Sequence, residues 1–392
     1  MVFKKPYRNY GIVYALSLFM FEVFNPVLSQ IVLVFDVSPS QARWLVTMFL
    51  GAAMLAEFCM PILLIYFSIQ RVIRTMWWLG IVVCTLCFFA NTYAQVLVCR
   101  LLIGLCAGAL IILTRISIEQ TEKNIAKGFN YAVGAILGFH AIMAIVAPSL
   151  GSYAIVYFGW QSVQWLCVFG FLSMYPTLFR WSKNLTLSDW QWANYKQGLS
   201  FFLQHPKKFN AILLAGFMGS LPMCEVIFSS IYLTMHHHLP LWLLGLYLSG
   251  MKGVDACVRF KMPYILNDHN ASRLVSIGVM CLIISVGVLM VALRSDGLFT
   301  YMVGCTVLNI TANVLLIIFS VDVFSDVSKF APVTGNAVFG ALQFGCAFLA
   351  AAILNMFLQL DLLGFIAYLC SFICCLMVLL LPKYRIQTSL MV

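Results

Sequence analysis

Residues 274–293 read LVSIGVMCLIISVGVLMVAL, an uncharged run of 20 residues held between Arg273 and Arg294. As a helix it rises about 30 Å, the thickness of a bilayer's hydrocarbon core. Working outward, the same pattern recurs along the chain. Apolar runs are predicted as helices at about 11–35, 43–66, 75–93, 96–118, 129–156 and 160–180. After a polar stretch they resume at about 209–234, 240–260, 273–293, 298–321, 332–358 and 361–382. Hydrophobic residues make up 63% of the 392 and charged residues 9%, against about 25% charged in a soluble domain. A chain this apolar cannot clothe itself for water, so its solvent is lipid. The fold class is therefore all-α membrane protein, with twelve transmembrane helices in two six-helix bundles. No connection is long enough for a catalytic domain, so an enzyme is not expected.

The domains divide as an N-terminal bundle over 1–180, a linker over 181–208 and a C-terminal bundle over 209–392. The linker carries Trp181, Trp190 and Trp192 among Lys and Ser. Tryptophan favours the headgroup layer, so this segment is expected to lie on the inner membrane surface. The basic stretch before residue 10 resembles the start of a signal peptide. The apolar run after it is too long, contains Glu22 and has no small-residue cleavage site, so it reads as a retained first helix.

The formal charge is +10. Basic residues sit between apolar runs, which points to topology and lipid headgroups rather than nucleic acid. With the N-terminus in the cytoplasm, all 23 Lys and Arg except Arg43, Arg294 and Arg100 fall on inner segments. Lys252 is counted among those inner charges. The bias supports an even number of spans with both termini cytoplasmic. The 14 cysteines are scattered, mostly in apolar runs, and read as small apolar fillers.

Ionisable residues inside spans are costly and face an interior or a cavity. They are Glu22, Glu57, Arg100, His140 and Glu225, with Arg115 near the inner end of its helix. Glu22 lies about 18 Å in from the cytoplasmic side at 1.5 Å per residue. Depth alone makes two pairs conceivable, Glu22–Arg100 and Glu57–Arg115. Glu22 is either a titrating group that meets a cationic substrate or a structural partner for an arginine. Asn25 and Ser29 share its helical stripe, and Pro26 follows at i+4, which suits a cavity wall. Glu225, Ser229 and Tyr232 share one face with Pro222 a turn earlier, a second cavity wall. Thr306, Asn309 and Asn313 line either a cavity or a helix–helix contact. His140 is a packing residue or a proton relay. The triplet His236-His237-His238 reads as loop composition, since three consecutive histidines do not easily converge on one ion. No metal ligand is expected. Gly104, Gly108, Gly138, Gly151, Gly245, Gly250, Gly335, Gly340 and Gly345 mark faces where helices touch.

Four stretches carry a family resemblance. They are Glu22-Val-Phe-Asn-Pro26; Arg100-Leu-Leu-Ile-Gly104 through Arg115 and Glu119; Ala147-Pro148-Ser-Leu-Gly151 with Gly159-Trp160; and Ala331-Pro332-Val-Thr-Gly335-Asn-Ala337 with Gly340-Ala-Leu-Gln343. The chain resembles the major facilitator superfamily, and within it the twelve-helix drug:proton antiporters of the Bcr/CflA-like branch. The resemblance implies alternating access around a midplane site. Glu22 would take the proton-coupling role with Arg100 assisting, and Glu57 is a further proton-coupling candidate. Asn25, Ser29, Glu225, Ser229, Tyr232, Asn309, Asn313 and Gln343 would form the substrate cavity. Arg71, Arg74, Arg115, Pro148 and Gly151 would serve gating and the interface between halves. The loop between the second and third helices departs from the family. Arg71 and Arg74 survive there, but its usual Asp and Gly do not.

The function expected is proton-coupled export of amphipathic or cationic small molecules, a multidrug-type efflux in a bacterial inner membrane. The proton gradient is the energy source and no cofactor is needed. The partners are small-molecule substrate, protons and lipid, and the carrier is a monomer. One alternative is proton-coupled import or facilitated entry of a metabolite or siderophore. Another is a non-transporting sensor with a transporter fold.

Overall fold

The computed structural model describes residues 5–121, 126–182, 192–268, 271–330, 332–357, 364–370 and 372–373. Every regular element among them is helical. The first span is broken: α1 (Lys5–Glu22) gives way to a 3-10 turn (Asn25–Val27), and α2 (Leu28–Phe35) completes the crossing. Pro26 explains the break, because it has no N–H to return to the Glu22 carbonyl and its ring disfavours a continuous helix. α2 stops at Asp36, which takes a left-handed φ of 49°. Ser38 then opens α3 (Pro39–Tyr66) with a reciprocal cap. Gln41 N–H donates to Ser38 Oγ (3.2 Å), and Ser38 N–H donates to Gln41 Oε1 (2.8 Å).

The chain continues as α4 (Ile69–Phe88), α5 (Tyr93–Thr121), α6 (Ala126–Phe158), α7 (Ser162–Ser182) and a short α8 (Trp192–Gln204). The second half runs α9 (Pro206–Met235), α10 (Leu241–Asp268), α11 (Ala271–Ser295), α12 (Leu298–Phe330) and α13 (Pro332–Phe357). Residues 364–370 and 372–373 are also helical. Ten helical stretches among the described residues are long and apolar enough to cross a membrane.

Alternation of these helices places the connections on two faces. The N-terminal face holds the start of α1, α8 and the α10–α11 connection. The opposite face holds the α2–α3, α9–α10 and α11–α12 connections. Within the first half α3 packs on α5, α1 on α5, α6 and α7, and α4 on α5 and α7. Within the second α9 packs on α12 and α13, and α12 also receives α10 and α11. The halves join along α3–α13 and α6–α10, with α2 laid against α9. Gly104 lets α5 lie directly on the Phe49 backbone of α3, where any side chain would collide. In lipid such close backbone approach, not hydrophobic exclusion, holds helices together.

The run that opened the sequence reading becomes α11, and its outward face is apolar. Ile277, Met280, Ile283, Ile284, Met290 and Val291 are all exposed, the inverse of a soluble helix. Two spans are longer than expected. α10 reaches Asp268 instead of about 260, and α12 reaches Phe330 instead of about 321. Each adds roughly 12–14 Å at 1.5 Å per residue on the N-terminal face. The linker also differs from a segment lying on the bilayer. Residues 183–191 lie outside those described, but α8 packs on α3, α9 and α13. Tyr195 is 1% exposed and its hydroxyl donates to the Phe58 carbonyl (3.2 Å).

Candidate functional site

Glu22 is the last residue of α1, so the Pro26 break fixes where its carboxylate stands. The break also frees a carbonyl. Phe24 N–H turns to the Phe21 carbonyl (3.3 Å), leaving that of Met20 without its helical donor. Arg100 supplies the replacement: its Nη1 donates to the Met20 carbonyl (3.2 Å). The guanidinium lies over the rings of Phe24 (4.0 Å to the centroid) and Phe49 (4.7 Å). Arg100 thus caps the broken end of α1, as a cation suits a helix C-terminus.

The expected Glu22–Arg100 ion pair is therefore not formed. Glu22 Oε1 instead meets Lys252 Nζ of α10 at 2.7 Å, and Glu22 Oε2 accepts from Asn25 Nδ2 (3.0 Å). Ser29 is buried one turn beyond Asn25. Lys252 had been read as an inner-face charge. α10 begins at Leu241, so Lys252 is about 16 Å into the span. Its side chain is only 12% exposed. Asp255, one turn further along α10, is also buried within the bundle and was not recognised from sequence. The signal that could have found both was a ruler laid along α10 from Pro240.

Glu225 sits in the middle of α9 and is fully buried. Ser229 Oγ donates to its Oε1 (2.5 Å), and Asn309 Nδ2 donates to its Oε2 (3.3 Å). Ser229 Oγ also lies 2.7 Å from Tyr301 Oη. Asn313 Nδ2 donates to Asn309 Oδ1 (3.0 Å), so the polar stripes of α9 and α12 face one another. Tyr232 closes this group, its ring 4.9 Å from that of Tyr301. Lys252 is paired with Glu22 and lies within electrostatic range of Glu225. Gln343 of α13 lies apart from this group, half-buried against Gly219 of α9.

The second expected pair is present. Arg115 Nη1 lies 2.9 Å from Glu57 Oε2, and Arg115 Nη2 donates to Tyr14 Oη (3.1 Å). The ring of Tyr14 meets that of His140 edge-on at 6.2 Å. The pair belongs entirely to the first half, but the second half lies upon it. At Gly340 of α13 a side chain would overlap the Glu57 carboxylate and crowd Arg115.

Among the gating candidates, Gly151 of α6 lies directly on the Val23 carbonyl at the break in the first span. The Pro148 carbonyl and Ser152 face Gly245 of α10, and Ser149 Oγ lies 2.7 Å from Ser249 Oγ. Arg71 and Arg74 are exposed at the start of α4 on the N-terminal face, away from the buried groups. Arg43, one of the exceptions to the inner-side charge bias, is buried in the second turn of α3. On the opposite face Ser40 Oγ donates to the Asn355 carbonyl (2.6 Å), and Asn355 Nδ2 donates to Thr47 Oγ1 (2.8 Å). These two bonds fasten α3 to α13. The cysteines with described side chains are free thiols. They include the two-residue-spaced Cys84-Thr-Leu-Cys87 of α4, where Cys84 lies beside Cys167.

The histidine triplet does not behave as one unit. His238 takes a left-handed φ of 50°. His236 Nε2 lies 3.0 Å from Asp296 Oδ1, and His237 has a donor atom within 4.8 Å of both.

A family model described as Major Facilitator Superfamily matches residues 10–353. No curated protein sequence matches the chain. Among solved structures, a D-xylose–proton symporter superposes with a TM-score of 0.72 at 12% identity, covering 98% of each chain. A bacterial homologue of the human lysosomal transporter Spinster, inward-facing and unoccupied, gives 0.69 at 13%, covering 96% of each. The nucleoside transporter NupG gives 0.67 at 13%, covering 97% of this chain and all of its own. At such identities the likeness is one of fold.

Proposed function

Because the chain belongs to the major facilitator superfamily, we propose that it is a proton-coupled carrier of the drug:proton antiporter type. It exports amphipathic, cationic small molecules by alternating access, with Glu22 as the coupling carboxylate. The observation that carries the reading is the buried Glu22–Lys252 ion pair, which ties α1 of one half to α10 of the other. A buried carboxylate held by a movable cation is a site for competition. An incoming cationic substrate displaces the Lys252 ammonium from Glu22, and the ammonium turns to Glu225, which already attracts it. The halves rock, and the substrate leaves. A proton then neutralises Glu22, and a neutral carboxyl costs far less to enclose in a dry interior than an ionised one. The empty carrier returns, gives up its proton and recovers the pair with Lys252. Arg100 acts as a positioning residue, holding the end of α1 so that Glu22 stays at this level. The carrier works as a monomer in a bacterial inner membrane, with both termini cytoplasmic.

The test is transport of ethidium, a lipophilic cation, in proteoliposomes under an imposed pH gradient. Glu22→Gln is expected to reduce gradient-driven movement at least 100-fold while the thermal midpoint stays close to wild type. Undiminished flux in the variant would remove Glu22 from the coupling role.

A second reading is proton-linked uptake of a polar metabolite. It is favoured by the hydrogen-bonding group of Glu225, Ser229, Tyr301, Asn309 and Asn313, and the D-xylose–proton symporter shares the fold. The sign of the proton exchange separates the two readings. In proteoliposomes, ethidium moving down its own gradient drives protons the opposite way under the export reading. Under the uptake reading, a polar metabolite moving down its gradient carries protons with it.

A further inference from the structure

The α9–α10 connection and the α11–α12 turn meet on the face opposite the N-terminus, and three metal-ligating groups converge there. His236 and His237 come from the first, and Asp296 comes from the second, 60 residues along the chain. One ligand atom from each lies within 4.8 Å of the other two. We infer that this is a site for a single divalent transition ion of the zinc type, bound by His236, His237 and Asp296, with water completing the shell.

Several features make the arrangement more than loop composition. The Tyr232 ring is buried and orients both imidazoles. It stacks on His236 (4.9 Å, 17°) and meets His237 edge-on (5.3 Å, 85°). Consecutive histidines cannot easily share an ion when their side chains follow the backbone apart. Here the second ring is turned onto the same tyrosine from another direction, so the two diverge less than sequence adjacency suggests. Asp296 is presented by a left-handed residue, φ 49°, that reverses the chain between α11 and α12. Its carboxylate already touches His236 at 3.0 Å. Zinc with bonds of about 2.0–2.2 Å sets its donors about 3.4 Å apart, so small rotations of exposed side chains suffice.

Two imidazoles and one carboxylate suit zinc, nickel or copper better than calcium or magnesium, which prefer all-oxygen shells. A bound ion would fasten the end of α9, the helix that carries Glu225, to the turn that begins α12.

The test uses the full-length protein without a histidine tag, purified in detergent, stripped with chelator and titrated with zinc chloride in a calorimeter. One ion per chain is expected. His236→Ala, His237→Ala and Asp296→Asn are each expected to weaken binding at least 10-fold, while His238→Ala changes it less than 2-fold. Cobalt chloride in place of zinc should give visible absorption that the same three variants lose. Absence of saturable one-to-one uptake overturns the assignment. So does an Asp296→Asn variant that binds like wild type, or a His238→Ala variant as weak as His237→Ala.

Discussion

The two buried ion pairs are alike in chemistry and opposite in placement. Glu57–Arg115 joins α3 to α5 within the first half, and Tyr14 supports it from α1. Glu22–Lys252 joins α1 to α10 across the two halves. In the proposed cycle the first pair travels as one body and the second is stretched. Glu57 and Arg115 are held to each other, and Arg115 also to the Tyr14 hydroxyl. Lys252 is paired with Glu22 and also within electrostatic range of Glu225. The lesson is that a buried charge pair acts as a brace or as a switch according to whether its members share a rigid body and whether a competing partner is within reach.

The largest effect should come from breaking the brace. Arg115→Met leaves the Glu57 carboxylate, 0% exposed, without its cation. Removing one member of a buried pair costs about 3–5 kcal/mol, so the thermal midpoint should fall steeply. Lys252→Met should cost less than half as much, because Glu22 keeps the Asn25 amide and lies between the halves instead of inside one. Its loss should appear instead in gradient-driven ethidium transport. Thermal scanning of both variants decides the matter. Equal destabilisation would erase the distinction between brace and switch.

The next effect probes how the second half rests on the brace. Gly340→Ala places a methyl group where the Glu57 carboxylate stands. Overpacking of this kind costs about 1–3 kcal/mol and should push α13 away from α3. In a Glu57→Ala background much of that penalty should vanish, because the nearest obstructing atoms are gone and the long Arg115 side chain can turn aside. A double-mutant cycle measures the coupling. Additive effects would mean that α13 does not bear on the pair.

Much of this was legible in the sequence, for reasons that can be traced. The membrane class followed from residues such as 274–293, where nothing but lipid accounts for the composition. The Glu57–Arg115 pair followed from depth, because both residues sit near the same end of long uninterrupted helices. Depth failed for Glu22–Arg100 because Arg100 found a backbone carbonyl, one that Pro26 had released by breaking α1. Sequence patterns track side-chain partners and are blind to orphaned backbone groups. Lys252 was missed for a different reason: it was counted with the inner-side charges as a topology signal, although it lies well inside α10. The meeting of His236 and His237 with Asp296 depends on two connections folding onto one another, which no local spacing encodes.

The smallest effect concerns the face opposite the N-terminus, where the halves are joined by neutral hydrogen bonds instead of charge. Asn355→Ala removes the amide that donates to Thr47 Oγ1 but leaves the bond from Ser40 to the residue 355 carbonyl in place. One such bond is worth about 0.5–1.5 kcal/mol, so opening at this face should become roughly 2- to 10-fold more populated. Ser29 is buried in α2 behind the latch. A Ser29→Cys reporter, in a background without the exposed Cys59, Cys257 and Cys370, reads the change as its rate of reaction with a membrane-impermeant maleimide. The rate should rise by that factor in Asn355→Ala, and protein stability should barely move, since the bond joins two bodies rather than holding either together. A rate that stays level would place the resistance to opening elsewhere, with the Glu22–Lys252 pair the charged tie across the halves. Lys252→Met would then raise the reporter's rate where Asn355→Ala had not.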